Sequence, residues 1–392
     1  MDPETKHPTD AVESGDKNPL HQLHALGQSV WLDYIRRGIL DNGELEEMIR
    51  RYDLRGVTSN PSIFEQAIGD SDDYDDAFDL LAADQADANE AYEALAVEDI
   101  TRACDLFRGV YDESNGTDGF VSLEVSPELA HDEAGTLAEA RRLWQAVNRP
   151  NLMIKVPGTE AGLPVIEQLL SEGLNVNITL LFSVKNHEQV MEAFLRGLER
   201  RHQAGEPLDH VGSVASFFVS RVDSAVDAQL NKLAEAATDD VVKERALSLR
   251  GKAAVANAKL AYRRFQEIFT SERWERLAAA GAQVQRPLWA STSTKNPDYR
   301  DVIYVEELIG QHTVNTMPLA TIEAFADHGV ARSTVDQDVD QAVADIAALR
   351  ELGIDMDEVT DQLQREGVEK FAKSFRELLQ SVDAKLTRVA QA

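Results

Sequence analysis

Lys155 sits in an apolar run, NLMIKVP (151–157), where a charged side chain is out of keeping with its neighbours. A lysine carried into a folded interior must be paired or neutralised. Two chemistries meet that demand. One is a structural ion pair with a carboxylate from another strand. The other is nucleophilic attack on a carbonyl to form a Schiff base, which needs the free amine. The ordinary pKa near 10.4 must then fall towards about 7–8, roughly 3–5 kcal/mol of differential solvation. Asp33, in VWLDYI, and Glu124, in FVSLEV, interrupt two further apolar runs. They could be ion-pair partners of Lys155, or an acid–base pair that manages protons around an imine. Asn60, Asn177, Thr179 and Ser216 add short hydrogen-bonding groups at the ends of other runs. Such groups suit a polyhydroxylated ligand, and they also occur in purely structural networks. Arg221, in FFVSRVDS, and Ser291, Ser293 and Lys295, in WASTSTKNP, follow two late runs. Loops after late barrel strands and helix N-termini bind phosphate; helix capping and surface charge are the plainer account.

The elements that must position these residues alternate along the chain. Strand-like runs fall at 29–35, 55–60, 119–125, 151–157, 174–182, 210–219, 286–292 and 312–318. Segments such as TLAEARRLWQAV and KNHEQVMEAFLRGLERR lie between them, with apolar residues at helical spacing. Eight strand-then-helix units predict an α/β fold, a (β/α)8 TIM barrel with additional helices. Two doubly wound domains are the competing arrangement, but no Gly-rich dinucleotide fingerprint follows the first strand and no linker divides the series. Several strands alternate with period two. Leu152, Ile154 and Val156 oppose Met153 and Lys155, Val176, Ile178 and Leu180 oppose Asn175, Asn177 and Thr179, and Val121, Leu123 and Val125 oppose Ser122 and Glu124. One face should meet helices, and the polar face should converge inside the barrel. The sequence predicts helical insertions at 62–118 and 220–284 and C-terminal helices over 336–390. There Val368, Phe371, Phe375, Leu378 and Val382 form a stripe that should dock on the barrel. Residues 1–18 read as a disordered tail, and 19–392 as one decorated barrel domain.

Charge narrows the partners. With 39 Lys and Arg against 69 Asp and Glu, the net charge is −30. Nucleic acid and anionic membrane both need a basic footprint, so neither is expected, and a phosphorylated ligand requires local clusters of Lys and Arg. No run approaches the length of a membrane span, and no signal-peptide core is visible near the start. The one cysteine, Cys104, precludes an internal disulfide, and the chain reads as cytoplasmic. Cys104 shares a helix face with Ile100, Ala103 and Phe107, a core pattern. The nine histidines lack metal-ligand spacing, and the acidic runs at 70–76 and 336–340 lack a calcium-loop glycine and suit helix starts. GTEAG (158–162) reads as a strand-to-helix turn. Homo-oligomerisation is left open.

GVTSNPSIF, VSLEVSP, LMIKVPGTEAG, NVNITLLFS, ASFFVSRVD and WASTSTKNP, in this order, resemble the successive strand motifs of the transaldolase family. The resemblance runs from about 20 to 320, and the final helices fit it. It implies an imine-forming barrel enzyme of the pentose phosphate pathway with no metal or organic cofactor. Such an enzyme moves a dihydroxyacetone unit from sedoheptulose 7-phosphate to glyceraldehyde 3-phosphate. By this resemblance Lys155 is the nucleophile and Asp33 exchanges the C4 hydroxyl proton. Glu124, with Thr179, holds the proton-relaying water. Asn60, Asn177 and Ser216 bind the dihydroxyacetone hydroxyls, Phe218 borders the substrate, and Arg221 and Ser291 hold phosphate. Met153 and Phe218 are the apolar in-facing neighbours expected to keep water from the reacting fragment. The chain departs from the family's pattern at Ser293, where an arginine is usual, and Lys295 is the expected substitute.

Overall fold

The computed structural model describes residues 18–69 and 71–391. Eight parallel strands close into a barrel in chain order: β1 (Gln28–Leu32), β2 (Leu54–Val57), β3 (Phe120–Glu124), β4 (Leu152–Pro157), β5 (Val176–Leu181), β6 (Ser213–Phe218), β7 (Arg286–Ala290) and β8 (Thr313–Met317). Each is shorter than its apolar run, so Asp33, Asn60, Ser291 and Lys295 lie just beyond the strand ends. That is the end where barrel loops build sites.

Registers explain why side chains from separate strands meet. β3 and β4 align Glu124 with Lys155, and β4 and β5 align Lys155 with Asn177. The alternation holds: Ser122, Asn177 and Ser216 join inside the barrel, Asn177 donating to Ser122 Oγ at 3.0 Å and Ser216 donating to Asn177 Oδ1 at 2.7 Å. Leu180 breaks the pattern. Its φ of 62° interrupts the β5–β6 pairing between Ile178 and Leu181, and Leu180 then packs towards the C-terminal helix.

The two insertions are helical: Pro61–Gly69, Asp75–Ala83, Ala88–Leu106 and Arg108–Glu113, then Ser220–Ala236, Asp240–Ser248, Ala253–Ile268 and Glu272–Ala279. Cys104 is a buried free thiol in the first insertion. The last helix, Met356–Ala390, starts at Asp355, whose side chain accepts from the Asp357 N–H, and buries Phe371, Phe375, Leu378 and Val382. It lies over the C-terminal rim of the barrel, where Gln364 Nε2 donates to the carbonyls of Gly158 (3.2 Å) and Leu180 (3.1 Å) and to Asn186 Oδ1 (2.9 Å). Gly367 permits that approach, since a Cβ there would stand 2.9 Å from Leu180. The tail expected over 1–18 falls outside the described residues except for Asn18. That residue belongs to the folded part, because its Oδ1 accepts from the Leu20 N–H at 3.0 Å. Among the described residues no helix is long and apolar enough to cross a membrane.

Candidate active site

A cavity of about 200 Å³ opens at the C-terminal end of the barrel. Asp33, Asn60, Lys155, Thr179, Ser216, Phe218, Arg221, Ser291, Ser293 and Lys295 line it, so ten residues singled out from the sequence converge there. Lys155 is almost wholly buried; its Nζ forms an ion pair with Glu124 Oε2 at 3.1 Å and donates to the Ser59 carbonyl at 3.0 Å. The Phe371 ring lies 5.7 Å from its Nζ. The ion pair and the nucleophile readings are therefore not exclusive, because the lysine of the pair lies at the wall of a cavity.

Both carboxylates are perturbed, and the leading cause is burial. It raises Asp33 above the ordinary 3.8, against the opposing pull of Lys155, a hydrogen bond from Thr58, and the charges of Arg221 and Lys295. Burial also raises Glu124 above 4.5, while Lys155 lowers it and Asp33 raises it further. Carboxyls held above their usual range can carry a proton as well as accept one. Thr58 Oγ1 donates to Asp33 Oδ1 at 2.7 Å and lies 2.6 Å from Thr316 Oγ1, fixing the carboxylate from two strands. The Thr179 hydroxyl is buried and has no hydrogen-bond partner among the described residues.

Glu124 and Asn177 do not line this cavity. Glu124 reaches it through Lys155 and also borders a smaller space beside Tyr92, Glu139 and Phe375. Asn177 is fully buried one step deeper, its amide already engaged by Ser122 and Ser216. Met153 corrects the expectation of an apolar guard: it lies beneath Lys155, close to Gly212, and does not face the cavity. Phe218 does face it, and its partner in that task is Phe371 from the C-terminal helix.

The rim is held in unusual backbone. Ser291 has φ 56° and Leu180, next to Thr179, has φ 62°. Left-handed non-glycine residues cost about 1–3 kcal/mol each and persist where surrounding contacts enforce them. The Ser291 carbonyl accepts from the Ser220 N–H at 3.1 Å, and the two hydroxyls lie 3.1 Å apart. That contact ties the loop after β7 to the start of the helix bearing Arg221. The Arg221 guanidinium stacks on Phe218 at 4.9 Å and Phe371 at 6.0 Å, and burial lowers its pKa. Lys295 is exposed and donates to Ser293 Oγ at 2.7 Å.

Sequence reasoning missed Thr58, Thr316, Lys370 and Phe371. Thr58 shares strand parity with Gly56 and Asn60, so its signal was present. Lys370 carried none. A larger cavity, about 760 Å³, lies at the opposite end of the barrel, walled by Tyr262, Phe265, Phe269 and Trp274. Its arginine, Arg286, is bound to Asp118 at 2.9 Å and Ser29 at 2.8 Å, and among the described residues no lysine faces it. The convergence of amine, carboxylate and unpaired cation belongs to the smaller cavity.

The family model described as Transaldolase/Fructose-6-phosphate aldolase matches residues 30–382. A protein named transaldolase from Parafrankia sp. (strain EAN1pec) is 50% identical over 373 residues, covering 95% of this chain and 99% of its own. One of the same name from Acidothermus cellulolyticus is 51% identical over 372 residues, covering 95% and 98%. Transaldolase 1 of Streptomyces coelicolor is 49% identical over 368 residues, covering 94% of each.

Proposed function

From the premise that the chain belongs to the transaldolase/fructose-6-phosphate aldolase family, we propose how its cavity carries out the transfer. The chain is an enzyme of the transferase class, and its proposed reaction moves a dihydroxyacetone unit from sedoheptulose 7-phosphate to glyceraldehyde 3-phosphate. The products are erythrose 4-phosphate and fructose 6-phosphate, in the cytoplasmic pentose phosphate pathway. The observation that carries this reading is a buried lysine paired with one carboxylate and facing a cavity shared with a second.

Lys155 passes a proton to Glu124, and its free amine attacks the C2 carbonyl of the donor. Loss of water from the carbinolamine gives the imine, with Glu124 supplying the proton that the departing hydroxyl needs. The otherwise unpartnered Thr179 hydroxyl supports a role beside that water. Asp33 then takes the C4 hydroxyl proton, the C3–C4 bond breaks, and its electrons pass into the protonated imine as an enamine. Erythrose 4-phosphate leaves. The enamine attacks the aldehyde carbon of glyceraldehyde 3-phosphate, Asp33 returns its proton to the new alkoxide, and hydrolysis frees Lys155. Asn60 and Ser216 face the three-carbon unit, with Asn177 holding Ser216 from below. Arg221, Ser291 and Lys295 line the same cavity, which supports their role in holding the phosphate.

Transfer requires that the enamine outlive the departure of the first aldehyde, and apolar cover is the physical means of keeping water away. Phe218 and Phe371 supply such cover. Fructose 6-phosphate plus borohydride should inactivate the enzyme and leave one reduced adduct on Lys155. Without borohydride it should release glyceraldehyde 3-phosphate only up to the enzyme concentration, and erythrose 4-phosphate should restore turnover. An adduct on another lysine would overturn the nucleophile assignment. Free dihydroxyacetone accumulating without acceptor as fast as transfer proceeds with it would make the enzyme a lyase.

A further inference from the structure

Three cations face the cavity from three different elements: Arg221 from the helix after β6, Lys295 from the loop after β7, and Lys370 from the C-terminal helix. In a chain with 69 acidic and 39 basic side chains, a cation finds a carboxylate easily. Arg37 pairs with Glu98 and Asp99, Arg264 with Glu188 and Glu267, and Arg273 with Glu192 and Glu199. Among the described residues Arg221 and Lys370 have no ion pair and no hydrogen bond from the side chain. The Arg221 guanidinium lies over two ring faces, and Lys295 donates to Ser293. Asp33, the carboxylate that feels Arg221 and Lys295, already accepts from Thr58.

Like charges gathered without a counter-charge disfavour one another. The Arg221 guanidinium foremost, then burial and Lys295, hold the Lys370 amine below its ordinary value. A phosphate dianion bound among the three removes that conflict, and each cation gains a charge-assisted hydrogen bond. The helix that brings Lys370 is fixed by independent contacts. Gln364, Gly367 and Phe371 recur at helical spacing on the face against the barrel. A Cβ at Gly367 would lie 3.8 Å from Arg221 Nη1, so Lys370, three residues on, is directed to the same rim.

Resting on the reading above that the substrates are sugar phosphates, we infer that Lys370 is a further phosphate-binding residue. Through it the C-terminal helix sets the preference for phosphorylated over unphosphorylated ketoses. Kinetics of Lys370→Met with fructose 6-phosphate and with fructose as donors, and inhibition by inorganic phosphate, test the inference. The rise in KM for fructose 6-phosphate should exceed that for fructose by on the order of tenfold, and the inhibition constant for phosphate should rise similarly. Lys370→Arg should recover most of the loss. Lys373→Met, in an exposed residue paired only with Glu377, should change neither. Equal losses on both donors, or an unchanged phosphate inhibition constant, would overturn the inference. Borohydride trapping in the same preparations separates the two levels. No adduct on wild-type Lys155 sinks both, whereas an adduct with unaltered phosphate dependence in Lys370→Met sinks the role of Lys370 alone.

Discussion

Replacing Lys155 by Met keeps most of the side-chain volume and strips Glu124 of its counter-charge. The two side chains are 6% and 5% exposed, so water offers little substitute. Burial raises the Glu124 carboxyl above 4.5, Lys155 opposes that, and Asp33 adds to it. In the variant only the two raising influences remain. A buried carboxylate without a partner takes up a proton rather than stay charged. The sign follows from proton counts. Above the ordinary pKa the folded variant holds a proton that the unfolded chain has released, so stability falls as pH rises. The loss is about 1.4 kcal/mol for each pH unit over which that difference persists. It is bounded by the roughly 3–5 kcal/mol typical of breaking a buried pair. Well below pH 4.5 both states are protonated, and only the small packing cost of the substitution remains. Lys155→Met should therefore match wild type closely at about pH 4 and fall several kcal/mol behind at about pH 8. Adding Glu124→Gln should recover most of the loss and flatten the pH dependence of the difference. Urea denaturation across that range, read by circular dichroism, gives the numbers. A penalty that is the same at both ends, or that Glu124→Gln leaves in place, would refute the burial argument.

Asp33→Asn should still form the borohydride-trappable imine while slowing single-turnover cleavage of fructose 6-phosphate by about 10²–10⁴-fold; cleavage at the wild-type rate would remove Asp33 from the mechanism. His187 tests the fold rather than the site. It is fully buried against Phe217 at 5.8 Å, with neither ring nitrogen partnered among the described residues. Burial pushes its pKa from 6.5 down to about 4. The unfolded chain thus binds the extra proton in that window, and acid should cost wild type about 3 kcal/mol through this residue. His187→Leu should show a shallower loss of stability between about pH 6.5 and about pH 4, and parallel curves would contradict that account.

How much of this was legible in the sequence depends on where the information lies. A strand writes its two faces into alternate positions, so Lys155, Glu124 and Thr179 could be assigned to the barrel interior from single runs of residues. Parallel registers then brought them together with little freedom, because each strand pairs with the next in chain order. Depth along the strand was harder. Met153 and Lys155 share a face, yet only Lys155 reaches the cavity, and the alternation carries no mark of which interior layer is the last. The backbone reversal at Leu180 was invisible for a related reason: its apolar side chain fits the strand pattern, and the left-handed turn is enforced by contacts with the C-terminal helix.

The covering helix marks the deeper limit. Its apolar stripe predicts that it docks, and Phe371 belongs to that stripe, but an amphipathic pattern does not say which surface it meets. Lys370 lies beside the stripe and reads as one more solvated lysine. It becomes informative only when the fold sets it near Arg221 and Lys295 in a cavity where, among the described residues, no carboxylate pairs with it. The chemistry-bearing residues on strands could therefore be read because their geometry is local, while those lent by the helix could not, because their meaning comes from what they are packed against. A site built from strand ends and covered by a helix will keep that asymmetry: the groups on its strands can be found from the sequence, and those its helix contributes have to be found in the fold.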